Sequence, residues 1–96
     1  MIVKAVVNAE NVQKELQEIS FEIKDVIIGI HKNFTTISIK GSRNLDVSVI
    51  ILKSISTNRN YVFRLPLDKL YVLNQLKGIT EIEYDDESGE IRLINC

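Results

Sequence analysis

Hydrophobic and polar residues alternate along most of this chain, and the alternation gives way to a helical period in two places. Ile2 to Val7 is short and β-branched and predicts a strand. Asn8 offers a helix cap, because its side chain can accept from the free amides of a first turn, and Glu10 puts a carboxylate where the helix dipole favours one. Val12, Leu16 and Ile19 follow at spacings of four and three, with Lys14, Glu15, Gln17 and Glu18 off that stripe. The spacing predicts a short amphipathic helix over residues 9 to 19. From Phe21 the period changes to two. Val26–Ile30 and Phe34–Lys40 predict strands joined by a His31-Lys32-Asn33 turn, and Gly41-Ser42-Arg43-Asn44 makes a second tight connection. Leu45 to Val49 alternates, and Ile50-Ile51-Leu52 is then apolar on both faces.

Residues 54–60 are the longest polar stretch and predict a loop joining two halves, 1–53 and 60–96, of a single domain spanning 1–96. The second half repeats the first in kind. Tyr61 to Leu65 predicts a strand, and Pro66, which cannot donate in a ladder, suits a helix start. Asp68 again places an acid early, Leu70, Leu73 and Leu76 give a helical period, and Gly78 ends it. Thr80 to Tyr84 alternates, Asp85-Asp86-Glu87-Ser88-Gly89 predicts a turn, and Glu90 to Ile94 is the last strand. The order is β-α-β-β-β, then β-α-β-β. It predicts an α+β fold in which two short helices cover one face of an antiparallel sheet. The units are pseudo-duplicated in element order, the second one strand short.

Composition narrows the function classes. A hydrophobic share of 45% supports a packed core and excludes wholesale disorder. The longest apolar run, Val47 to Leu52, is interrupted by Ser48 and is far short of a membrane span. Lys4 and Asn8-Ala9-Glu10-Asn11 break the N-terminal apolar stretch, so no signal peptide is read and a cytoplasmic home is expected. Cys96 is the lone cysteine, which rules out an intrachain disulfide. The formal net charge of -1 disfavours tight nucleic-acid binding by the isolated chain.

From Phe63 to Ile91 the residues carry a resemblance. A strand runs into Leu65-Pro66-Leu67-Asp68-Lys69-Leu70, with Leu73 beyond. Ile82-Glu83-Tyr84-Asp85-Asp86-Glu87-Ser88-Gly89-Glu90-Ile91 then forms an alternating acidic strand, an acidic turn and a closing strand. This stretch resembles a module of DNA sliding clamps, the ring-shaped processivity factors of replication. The resemblance implies a clamp-like fold. It also implies basic residues on channel-lining helices, and here Lys14, Lys69 and Lys77 would face DNA. The departures are a single domain, the missing last strand, and a first helix where Glu10, Glu15 and Glu18 outweigh Lys14.

No glycine-rich phosphate loop, paired cysteine ligands or nucleophile elbow occurs, so no catalytic residue, metal or cofactor is predicted. His31 sits in a predicted turn with no orienting partner, and Cys96 has only Arg92 close in sequence to activate it. Residues 85–90 lack the ligand spacing of a calcium loop. The chain therefore reads as a non-enzymatic protein-association module, self-assembling through sheet edges at Ile50, Ile51, Leu52 and Ile94. Tyr71 and Val72, off the leucine stripe, and the acidic end at Glu81, Glu83, Asp85, Asp86 and Glu87 are the expected partner contacts. The alternatives are a replication accessory protein of clamp type, or a small phage or mobile-element regulator that binds a host protein.

Overall fold

The computed structural model describes residues 1–96. Period-two segments become strands wherever one side of the alternation can be buried, and seven do so. They are β1 (Ile2–Asn8), β2 (Asp25–Ile30), β3 (Phe34–Lys40), β4 (Val47–Thr57), β5 (Tyr61–Arg64), β6 (Ile79–Asp85) and β7 (Ile91–Asn95). The single α-helix, α1, spans Val12–Gln17, and a 3-10 segment spans Leu67–Gln75. All strands lie in one sheet of order β5-β2-β3-β4-β1-β6-β7, and every neighbouring pair is antiparallel.

The sheet curls until its two ends face each other across the core. Phe63 of β5 and Tyr84 of β6 stack with centroids 3.9 Å apart, and Tyr61 lies 5.9 Å from Tyr84. Inward-facing aliphatics fill the hollow: Val3, Ala5 and Val7 of β1, Val26, Ile28 and Ile30 of β2, Ile37 and Ile39 of β3, Ile50 and Leu52 of β4, and Ile82 of β6. Val12 from α1 and Val72, Leu73 and Leu76 from the second half close one end. Gln13 ties the two helical pieces together by donating from Nε2 to the Leu73 and Leu76 carbonyls, both at 2.9 Å. The α+β, antiparallel expectation is met, with sheet far outweighing helix.

Several local expectations are corrected. The helix begins at Val12, because Asn8 Oδ1 accepts from the Glu10 amide at 3.1 Å in a turn that precedes it. The leucines at 70, 73 and 76 are spaced by three, and the segment follows the three-residue turn of a 3-10 helix, kinked at Lys69. β4 continues through Thr57, well into the polar stretch read as a loop. Ser54 there is buried, and its hydroxyl pairs with Thr35 Oγ1 at 2.8 Å inside the core. β4 bulges at Ile55, the extra residue opposite the Val6–Val7 step of β1. Gly41 allows a close crossing: a Cβ there would lie 2.7 Å from both the Asp46 Cβ and the Phe21 ring.

Candidate functional site

β4 is the strand that the sequence marked as apolar on both faces, and the structure separates those faces. Ile50 and Leu52 point into the core and are buried. Val47, Val49, Ile51 and Ile55 point outwards and remain 49%, 50%, 69% and 52% exposed. No helix was predicted for that outer face and none covers it. Only Ile51 of the expected Ile50-Ile51-Leu52 contact is therefore available, and it is offered by a face. β4 sits between β3 and β1 in the sheet, away from the edges.

One stretch of β4 nevertheless lacks a neighbour. Its pairing with β3 runs from Val47 to Lys53, whereas β1 pairs only from Lys53 onwards, because β1 ends at Asn8 and the chain turns into α1. The Ser54 amide bonds to the Asn33 carbonyl on the β3 side. Strand alternation then turns the backbone groups of Val49 and Ile51 the other way, towards α1. An open cavity of ≈ 370 Å³ lies there, lined by Ile51 with Asn11, Lys14, Glu15 and Glu18.

The acidic end is far less available than its sequence suggests. Glu83 is 9% exposed and held between two cations, with Oε2 3.0 Å from Arg92 Nη2 and Oε1 3.9 Å from Lys4 Nζ. Its register explains this, since Lys4 and Arg92 are its direct cross-strand neighbours on β1 and β7. Asp86 is 3.1 Å from the Met1 amino group, and Glu87 is 3.5 Å from it. The Asp86 contact, with Glu87 adding to it, holds the amine above its ordinary pKa of 8.0. Asp85 accepts from the Glu87 amide, and turn amides of this kind hold its carboxyl below 3.8. Glu81 lies on the outer face beside Val6 and Ile94.

Tyr71 is exposed as expected. It borders a shallow apolar dish of ≈ 310 Å³ with Leu16, Ile23, Leu70, Leu73 and Asn74. Val72 is corrected: it is 3% exposed, because the kinked 3-10 segment lies flat and turns both Val72 and Leu73 into the core. Ile94 is exposed on β7, a true edge. Of the three lysines, Lys69 donates from Nζ to the Gly89 carbonyl at 3.1 Å, and Lys14 stands with Glu15 and Glu18 at the Ile51 cavity. Lys77 is exposed just after the 3-10 segment.

Sequence reasoning missed Asp46. Its carboxylate is nearly buried and accepts from the Arg43 backbone amide at 3.2 Å and from the guanidinium at 3.2 and 3.3 Å. The Arg43 side chain is the main cause holding its pKa below 3.8. The group locks the connection between β3 and β4, where the Gly41 amide also donates to the Asp46 carbonyl at 2.8 Å. Burial away from water is also the main cause that raises the Tyr84 hydroxyl above 10.0. No three His, Cys, Asp or Glu side chains gather into a group able to hold a metal ion. No helix is long and apolar enough to cross a membrane. No protein-family model, curated protein or solved structure matches the chain.

Proposed function

We propose that this chain is a non-enzymatic protein-association module that joins copies of itself through the outer face of β4. The observation that carries this is the row Val47, Val49, Ile51 and Ile55, four β-branched aliphatics about half-exposed or more on one strand. Lys53 shares this face and separates Ile55 from the other three, so the apolar patch proper is Val47, Val49 and Ile51; exposed apolar surface of this kind marks association sites on soluble domains. Two sheets packed face to face would bury it, as in a sandwich interface. Thr36 and Ser38 of β3 lie directly beside Ile51 and Val49 and keep the face low enough for a second sheet to approach.

The clamp-type reading, with its duplicated units and DNA-facing lysines, has weaker support. Lys69 is engaged by a backbone carbonyl, and Lys14 stands beside two glutamates. A host-binding regulator acting through the acidic end has weaker support too, since Glu83 and Asp86 are already paired with cations. Sedimentation velocity tests the proposal. A mass at twice 11.0 kDa or more at micromolar concentration supports it, and a mass that stays at 11.0 kDa as concentration rises refutes it.

A further inference from the structure

β4 is paired on both sides along its second half only. Lys53 lies opposite Asn8, where β1 ends, and no strand stands on that side of Val47–Leu52. Two bonds fix which backbone groups this leaves free. Ser54 donates to the Asn33 carbonyl at 3.2 Å, and Gly41 donates to the Asp46 carbonyl at 2.8 Å, both on the β3 side. By alternation Ser48, Ile50 and Leu52 also bond towards β3, and Val47, Val49 and Ile51 turn the other way. The Leu45 carbonyl takes the Val47 amide at 2.9 Å. The amides and carbonyls of Val49 and Ile51 have no backbone partner. An unpaired run of this kind is a template for another strand.

A groove lies beside these groups. α1 and the residues after it run along β4 without closing on it. The ≈ 370 Å³ cavity at Ile51 is bounded across the gap by α1. A second open cavity, of ≈ 210 Å³, lies at Val47 and Ser48 and is bounded opposite by Ile19, Ser20 and Phe21. Glu15 and Glu18 border both cavities, whereas Lys14 borders only the one at Ile51. None of the chain's ion pairs engages either glutamate. The groove therefore offers two free backbone donors and two free acceptors on one wall and two uncompensated carboxylates on the other.

We propose that the groove between β4 and α1 receives one extended, basic segment of a partner polypeptide, added as a strand to Val49 and Ile51. Strand addition supplies main-chain hydrogen bonds, and side-chain contacts on alternate positions supply the choice of partner. Aliphatic side chains of the segment would lie beside Val49 and Ile51, which are exposed, and its lysines or arginines would meet Glu15 and Glu18. A free segment fits where a sheet edge does not. An edge strand of a second copy carries its own sheet behind it, and α1 stands where that sheet would have to lie. The groove flanks β4 and the self-association reading uses its outer face, so a failure here leaves that reading standing.

Amide hydrogen exchange followed by NMR on the full chain tests it, with a capped peptide of alternating valine and lysine and its valine–glutamate counterpart as probes. The valine–lysine peptide should slow exchange at Val49 and Ile51 by about tenfold or more and leave Ile50 and Leu52, already bonded to β3, unchanged. The valine–glutamate peptide should leave all four amides unchanged. The double variant Glu15→Gln, Glu18→Gln should weaken peptide affinity about tenfold while the amides of β2 and β3 stay protected as before. No slowing at saturating peptide, equal slowing by both peptides, or an undiminished response in the double variant would overturn the proposal. Protection of Val49 and Ile51 that rises with the chain's own concentration and not with peptide would also overturn it, because the occupant would then be a second copy.

Discussion

Ile51→Lys is the sharpest perturbation of the β4 face. The side chain points to solvent and retains 69% of its exposure, so the change removes little from the folded core. Full burial of an isoleucine side chain is worth about 2 kcal/mol. The exposed two thirds of Ile51, buried once in each of two copies, then contributes about 2.8 kcal/mol to a symmetric dimer. That is about a hundredfold in Kd, since each 1.4 kcal/mol is a factor of ten. Ile51→Ala should show most of this loss. Lysine adds the cost of burying two unpaired ammonium groups and should leave only monomer across the micromolar range. Sedimentation equilibrium gives the Kd, and the thermal midpoint monitors the fold, which should shift by no more than strand propensity allows, about 1 kcal/mol. A Kd within twofold of the parent for both variants would refute burial of this face.

Four further outcomes are expected. Gly41→Ala should cost about 1–3 kcal/mol, because its new methyl meets the Asp46 Cβ and the Phe21 ring at 2.7 Å, and it should lower the thermal midpoint by several degrees. Phe63→Ala removes the ring that stacks on Tyr84 and should cost about 3–5 kcal/mol in urea unfolding. Val72→Lys should severely destabilise the chain and Tyr71→Lys should not, since only the first is buried; equal effects in thermal melts would contradict the 3-10 placement. Stability should also fall at both pH extremes. Asp46 and Asp85 have depressed pKa values, so what they contribute is present above 3.8 and is lost as pH falls through their folded values. The Met1 amine has a raised pKa, so its contribution is complete below 8.0 and is lost as pH rises through the folded value. Asp46→Asn should flatten the acid limb of a melting-temperature profile and leave the alkaline limb intact.

Much of the sheet was legible because β-branched residues at period two leave little choice of conformation. Val26–Ile30 and Phe34–Lys40 emerge within a residue of β2 and β3. The far half of β4 was not legible, because Ser54, Ser56 and Thr57 look like loop composition until Thr35 is found opposite Ser54. Leucines three apart fit both a helical stripe and a 3-10 turn, and only packing against α1 and the core decided between them. The acidic end misled for a related reason. Glu83 reads as a free surface charge until the register places Lys4 and Arg92 on either side. Which strand neighbours which is a long-range fact, so β1 beside β6 and β5 beside β2 left no local trace. The doubly apolar character of Ile50-Ile51-Leu52, by contrast, was a local signal, and the structure resolved it into one core face and one uncovered face.

The most direct test of that uncovered face is an isotope-filtered NOE measurement on a mixture of labelled and unlabelled chain. Association through β4 requires contacts between copies at the methyl groups of Val47, Val49 and Ile51. Contacts confined to β5 and β7, or none at concentrations where the mass exceeds that of the monomer, would contradict it.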